Sequence, residues 1–73
     1  MIVIDARELE PPEPFERVME ALSDLTPGDR IKLILNREPH PLYRVLERNG
    51  YAYDPTWFDD GRCEILIWEK QRR

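Results

Sequence analysis

Apolar residues in this chain come in short runs whose period alternates between that of a strand and that of a helix. Ile2-Val3-Ile4 is a β-branched run and predicts a buried strand. After the proline-rich stretch Glu10-Pro11-Pro12-Glu13-Pro14, residues Phe15, Val18, Met19 and Leu22 fall at i, i+3, i+4 and i+7, the apolar face of a first helix. Prolines are tolerated at such a start because the first-turn N–H groups have no intrahelical partner. Thr26-Pro27-Gly28-Asp29 ends the helix and turns the chain. From Arg30 to Asn36 the pattern alternates, with Ile31, Leu33 and Leu35 on one side and Lys32 and Ile34 on the other, which predicts a second strand. Pro41 opens a second helix with Leu42, Val45 and Leu46 on its apolar edge, and Asn49-Gly50 supplies a left-handed stop. Tyr51 to Phe58 is aromatic but interrupted by Pro55, as in an irregular or edge strand. Asp59-Asp60-Gly61 is a hairpin turn, and Arg62 to Glu69 is the last strand.

The order β-α-β-α-β-β contains two crossovers. Right-handed crossovers place both helices on the same side of the sheet, and the hairpin adds an antiparallel strand. The fold expected is an α+β two-layer sandwich, a mixed four-stranded sheet with two helices on one face, built as a single domain over residues 1–73. If Leu33, Cys63, Ile65 and Ile67 face the helices, then Ile34, Leu66 and Trp68 point out from the bare face. An apolar cluster on an open sheet face is a candidate surface for a protein partner or a homodimer. The plainer alternative is that long neighbouring side chains cover it.

Size and composition narrow the functions open to the chain. Seventy-three residues bury roughly 60% of the surface that the unfolded chain exposes, so stability is modest. An internal disulfide is excluded by the single cysteine, Cys63, and one histidine, His40, cannot complete a nitrogen and sulfur zinc site with it. No metal or cofactor is expected. The net charge is -4 with both signs interspersed, which argues against nucleic acid as partner. Arg72-Arg73 is the one basic cluster and reads as a solvated tail. Neither a signal peptide nor a membrane span is apparent, and the free thiol suits a reducing compartment, so a cytoplasmic location is expected.

The segment Asp5 to Pro14 adds a resemblance. Asp5, Leu9, Pro12 and Pro14, with the Thr26-Pro27-Gly28-Asp29 turn, resemble the pattern of the TusA/SirA sulfur-carrier family, whose motif is Cys-Pro-x-Pro at the start of the first helix. The resemblance covers nearly the whole chain and implies the same fold. It departs at the carrier cysteine, whose place is held by Pro11. A thiolate at a helix N-terminus is the form that accepts sulfur, and proline supplies no thiol. Within that superfamily, Asp5-Ala6-Arg7 and Asn36-Arg37-Glu38-Pro39-His40-Pro41-Leu42-Tyr43 are similar to the uncharacterised group called domain of unknown function 2249. Membership of that group implies a fold and no activity.

Three sets of residues are candidates for chemistry. Both β-to-α connections leave the carboxyl ends of parallel strands, where ligands usually bind. Arg7, Glu13, Arg37, His40 and Tyr43 would gather there, beside two helix N-termini that favour an anion, and this admits a small anionic ligand. The alternative is that His40 caps its helix while the arginines pair with Glu10, Glu13 or Glu38. His40 has no nucleophile beside it to activate, so the chain is not expected to be an enzyme. Cys63 alternates with Ile65 and Ile67 on the inward face, as a structural thiol does. Tyr51, Tyr53, Trp57 and Phe58 are expected to complete the core, the alternative being that they stack on a planar ligand or sit at a protein interface. The functional expectation is a non-enzymatic binding or protein-interaction module. Its alternative is a sulfur-trafficking accessory that docks on sulfur-transfer partners or carries a persulfide on Cys63.

Overall fold

The computed structural model describes residues 1–70; the Arg72-Arg73 pair lies outside the described residues. The elements are β1 (Ile2–Asp5), α1 (Glu13–Asp24), β2 (Ile31–Leu35), α2 (His40–Arg48), β3 (Tyr51–Trp57) and β4 (Cys63–Glu69). The four strands form one sheet in the order β1-β2-β4-β3. β1 runs parallel to β2, while β4 lies antiparallel between β2 and β3. The hairpin strand therefore inserts inside the sheet and leaves β3 at an edge. That place suits Pro55, because a proline in an interior strand would remove a ladder hydrogen bond.

Alternation along each strand sorts the residues into two faces. Register sets Ile2, Ile31, Ile67 and Tyr53 in one row, Ile4, Leu33, Ile65 and Pro55 in the next, and Leu35, Cys63 and Trp57 in a third. In these rows Ile31, Leu33, Ile65, Ile67 and Cys63 are fully buried, and they share one core with Val18, Ala21 and Leu22 of α1 and Leu42, Tyr43 and Leu46 of α2. Both helices thus cover this face. Each fully buried branched side chain contributes about 1.5–3 kcal/mol. A chain of this size is stable by only roughly 4–11 kcal/mol in total, so any one of them is a large share.

Helix boundaries follow the prolines. α1 begins with Glu13 and carries a proline in its first turn, as does α2, and neither helix has a side-chain cap. α2 stops at Gly50, whose φ of +82° is left-handed backbone that a residue with a Cβ adopts at a cost. The β3–β4 hairpin closes through Phe58 N–H to Arg62 O at 2.9 Å and Gly61 N–H to Phe58 O at 3.0 Å, with Gly61 at φ +90°. Asp59 and Asp60 stand at its tip.

Candidate functional site

Beyond the carboxyl ends of β1 and β2 the chain leaves the sheet twice, at residues 6–12 and 36–39, and a cleft of about 700 Å³ opens between these connections. Buried Leu33, Leu35 and Leu42 form its depth. Pro11, Pro12, Pro14 and Phe15 line it from the first connection, and Pro39 and Pro41 from the second. Polar atoms come from Arg7, Asn36, Arg37 and Glu38. The wall is therefore apolar and stiff, since proline rings fix φ and bring little side-chain entropy to lose.

Two cations stand on this cleft. Arg7 donates from Nε to Asp5 Oδ1 at 2.9 Å and from Nη2 to Oδ2 at 2.7 Å. This two-pronged pairing, with the Arg7 backbone N–H also donating to Asp5 Oδ1, holds the Asp5 carboxyl down at about 2. Arg37 is exposed and has no ion pair among the described residues. Glu38 is engaged otherwise: its Oε2 accepts the Tyr43 hydroxyl at 3.0 Å, and its Oε1 lies 3.7 Å from His40 Nε2.

The helix N-termini contribute less than their position suggests. In α2 the His40 N–H donates to Glu38 O, the Leu42 and Tyr43 N–H groups both donate to Pro39 O, and Pro41 has none. In α1 the Glu13 N–H is taken by Glu10 O and the Glu16 N–H by Pro12 O. The Phe15 N–H of α1 is the one first-turn donor of the two helices without a backbone acceptor among the described residues, and it stands on the cleft with the arginines.

Of the five residues expected at this end of the sheet, Glu13, His40 and Tyr43 do not line the cleft. Arg7 and Arg37 meet at the cleft. Glu13 does not line it, lying instead 3.8 Å from Arg17 on the exposed side of α1. The His40 side chain is 72% exposed and does not cap α2, and Arg7 pairs with Asp5 rather than with a glutamate. Tyr43 is a core residue: its ring stacks on Tyr53 with centroids 4.0 Å apart and planes 1° from parallel. Burial, with the Glu38 hydrogen bond second, pushes its hydroxyl well above the usual tyrosine range. Phe15, which the helical pattern put on the apolar face of the first helix, lines the cleft, and Asp5 steadies Arg7 on it.

The remaining expectations divide. Cys63 is fully buried on the helix face, and desolvation raises its pKa. Tyr51 and Tyr53 pack against the core, but Trp57 is 50% and Phe58 39% exposed, contrary to the core role expected of them. They reach the open end of an edge strand, past the helices. Ile34, Leu66 and Trp68 do lie on the bare face, each half-buried. Arg30 sits over the Trp68 ring at 5.5 Å, and Lys32 lies 3.6 Å from Glu64 on the same face, so long charged side chains cover much of it.

The sequence pattern described as "Uncharacterized conserved protein (DUF2249)" matches residues 3–69. The chain belongs to the DUF2249 family. The crystal structure of a SirA-like protein from Desulfitobacterium hafniense is similar to this DUF2249 chain, with a TM-score of 0.84 and 27% identity over 97% of this chain and 100% of that one. No curated protein matches it. The α+β fold is thus SirA-like, and Pro11, which stands where the carrier family has its cysteine, lies on the cleft. Among the described residues no group of three or more His, Cys, Asp or Glu is placed to hold a metal ion, and no helix is long and apolar enough to cross a membrane.

Proposed function

We propose that this DUF2249 chain is a non-enzymatic binding module whose site is the proline-walled cleft. Its ligand is an apolar, aromatic-sized group with a carboxylate close to it, carried on a protein partner. The observation that supports this most directly is the pairing of a cleft of about 700 Å³, apolar in its depth, with Arg7 and Arg37 on it. Pockets that hold ligands combine an apolar lining with a few placed polar groups. The stiff proline wall reduces the ordering cost of binding, and Arg7 is held in place by Asp5.

The same lining supports binding rather than catalysis. It contains no serine, threonine, cysteine, tyrosine or histidine, and its one carboxylate, Glu38, accepts the Tyr43 hydroxyl and lies 3.7 Å from His40 Nε2, so what supports the binding reading is the lack of a hydroxyl, thiol or imidazole nucleophile. Sulfur carriage on Cys63 has no support in its burial or its raised pKa, since the thiolate is the reactive form.

Indole-3-acetate is a suitable probe because it joins an aromatic ring to a carboxylate. Titration into labelled protein should shift the backbone amide signals of Leu9, Phe15 and Leu42, and Arg37→Ala should weaken the acid while leaving indole-3-acetamide unchanged. Shifts confined to the bare sheet face, or no saturable shift at all, would overturn this reading.

A further inference from the structure

The end of the sheet that carries the cleft also carries the least satisfied apolar side chain of the β3–β4 hairpin. Trp57 pairs with Cys63, and Cys63 with Leu35 of the cleft, so all three lie in one row across the carboxyl ends of the parallel strands. Trp57 is half exposed although it sits on the helix side of the sheet. Asp59 follows it by two residues, exposed and without an ion pair among the described residues. Its neighbours are occupied: Arg62 lies over the Phe58 ring at 4.2 Å and 3.5 Å from Asp60. The tip therefore offers one indole and one free carboxylate, the chemistry that the cleft is suited to take.

A chain does not seat Trp57 in its own cleft, although Asp60 of the same tip lies near enough to Arg7 to act on its charge. Two strand spacings separate Trp57 from Leu35 in that row, roughly 10 Å, and the buried Cys63 stands between them. A second copy removes the obstacle. A two-fold axis along the sheet normal, passing between the cleft and Trp57, turns a second molecule end to end with the first. It sets each hairpin tip opposite the other's cleft and closes the pair with two identical contacts. Arg37 then faces Asp59 of the second copy, a local match of opposite charges between two molecules that each carry -4 overall.

We propose that this chain forms a symmetric homodimer in which each copy seats Trp57 and Asp59 in the other's proline-walled cleft. This rests on the cleft being the binding site, and it names a second copy of the chain as an occupant. The bare face, with Ile34, Leu66 and Trp68, takes no part.

Sedimentation velocity from micromolar to millimolar protein is the test. The wild-type chain should show concentration-dependent dimerisation. Trp57→Ser should weaken it by about tenfold or more, as loss of a central aromatic anchor does. Arg37→Glu and Asp59→Lys should each weaken it too, and all three positions are exposed, so these variants keep the fold. Mixing the two charge variants provides the sharper result. The reversed cleft of one meets the reversed tip of the other, and the second contact of that pair is native, so the mixture should dimerise where neither variant does alone. A mixture that stays monomeric, or a dimer indifferent to all three substitutions, overturns the proposal; loss of dimer on Leu66→Lys instead would place the contact on the bare face. A wild-type chain monomeric throughout, with indole-3-acetate still shifting the cleft, sinks the pairing and leaves the cleft reading standing. Failure of both removes the cleft reading as well.

Discussion

Tyr43 separates a residue of the site from a residue of the core, and Tyr43→Phe tests which it is. Its hydroxyl donates to Glu38 at 3.0 Å while its ring stacks on Tyr53. A hydrogen bond to a charged group is worth about 1.5–3 kcal/mol. Glu38 is 28% exposed and can rehydrate once the hydroxyl is gone, so we expect a loss of about 1–2 kcal/mol near neutral pH, discounted from that range. The phenyl ring keeps the stack. The pH dependence has a definite sign. The folded hydroxyl titrates above the unfolded one, because it is desolvated and hydrogen-bonded to a carboxylate. Its stabilisation is therefore complete below the unfolded tyrosine pKa of about 10 and is lost as pH rises from there through the folded value. Urea unfolding of both chains at a series of alkaline pH values, followed by tryptophan fluorescence, measures the gap between them. That gap should be flat below about pH 10 and close by up to about 1.4 kcal/mol per pH unit above it. Cys63 and Tyr53, whose pKa values are also raised, are present in both chains, so only their coupling to Tyr43 survives in the difference. A gap that stays constant through the alkaline range refutes the buried, Glu38-bonded placement. Indole-3-acetate binding should be unchanged in Tyr43→Phe, since the tyrosine does not line the cleft.

Phe15→Ala should leave stability nearly intact yet weaken indole-3-acetate binding several-fold, whereas Leu33→Ala should cost about 2–5 kcal/mol; equal stability losses in chemical denaturation would contradict their assignment to cleft and core. The Asp5 carboxyl should titrate at about 2 in carbon-detected NMR and return toward about 3.9 in Arg7→Ala. The stability that this pair adds is present above the ordinary carboxylate range and fades as pH falls toward 2; an unchanged Asp5 midpoint in the variant would remove Arg7 as the cause. In the native wild-type chain a thiol reagent should label Cys63 only on unfolding, while Pro11→Cys should add a thiol on the cleft beside Arg7 and Arg37 that reacts at once. Equal labelling rates at the two positions would contradict the burial of one or the exposure of the other.

The alternation of Leu33 and Leu35, and of Cys63, Ile65 and Ile67, made the buried face legible, because period-two patterning reports directly on which side of a sheet is covered. The helix ends were legible from Pro14, Pro41 and Gly50 for the same local reason. What the sequence could not show was the insertion of β4 between β2 and β3, since strand order depends on pairings far apart in the chain. Pro55 had marked β3 as an edge strand, but not its place beyond β4, and it is that place that leaves Trp57 half exposed and brings Tyr53 onto Tyr43 of α2. Phe15 keeps helical spacing with Val18 and Leu22, yet it belongs to the first turn and lines the cleft instead of the core. Periodicity gives a residue's face and leaves its height along the helix unreported. Asp5 and Arg7 did carry a signal, since residues two apart at the end of a strand point the same way and a carboxylate and a guanidinium at that spacing can pair.

The chemistry of the cleft follows from what its wall lacks as much as from what it holds. On this fold, the connections leaving the parallel strands bring two chain segments together at one end, and any side chain placed there is presented to a ligand. A cysteine at position 11 would make that end reactive; Pro11, with Pro12, Pro14, Pro39 and Pro41, makes it a rigid apolar seat. Such a seat alone would be indiscriminate. In the proposed binding role, selectivity would come from the arginines, cations on a chain of net charge -4. Arg7 has its charge balanced by the ionised Asp5 and its position fixed by two hydrogen bonds, so on that reading it would orient a carboxylate more than attract one. Arg37 has no partner of its own among the described residues and supplies the attraction. A partner that offers an aromatic ring without a nearby carboxylate leaves Arg37 unanswered, and one that offers a carboxylate without the ring leaves the prolines wet. On the proposed reading the site takes two features at a fixed spacing, and among the described residues Trp57 with Asp59 presents both, exposed and free of ion pairs.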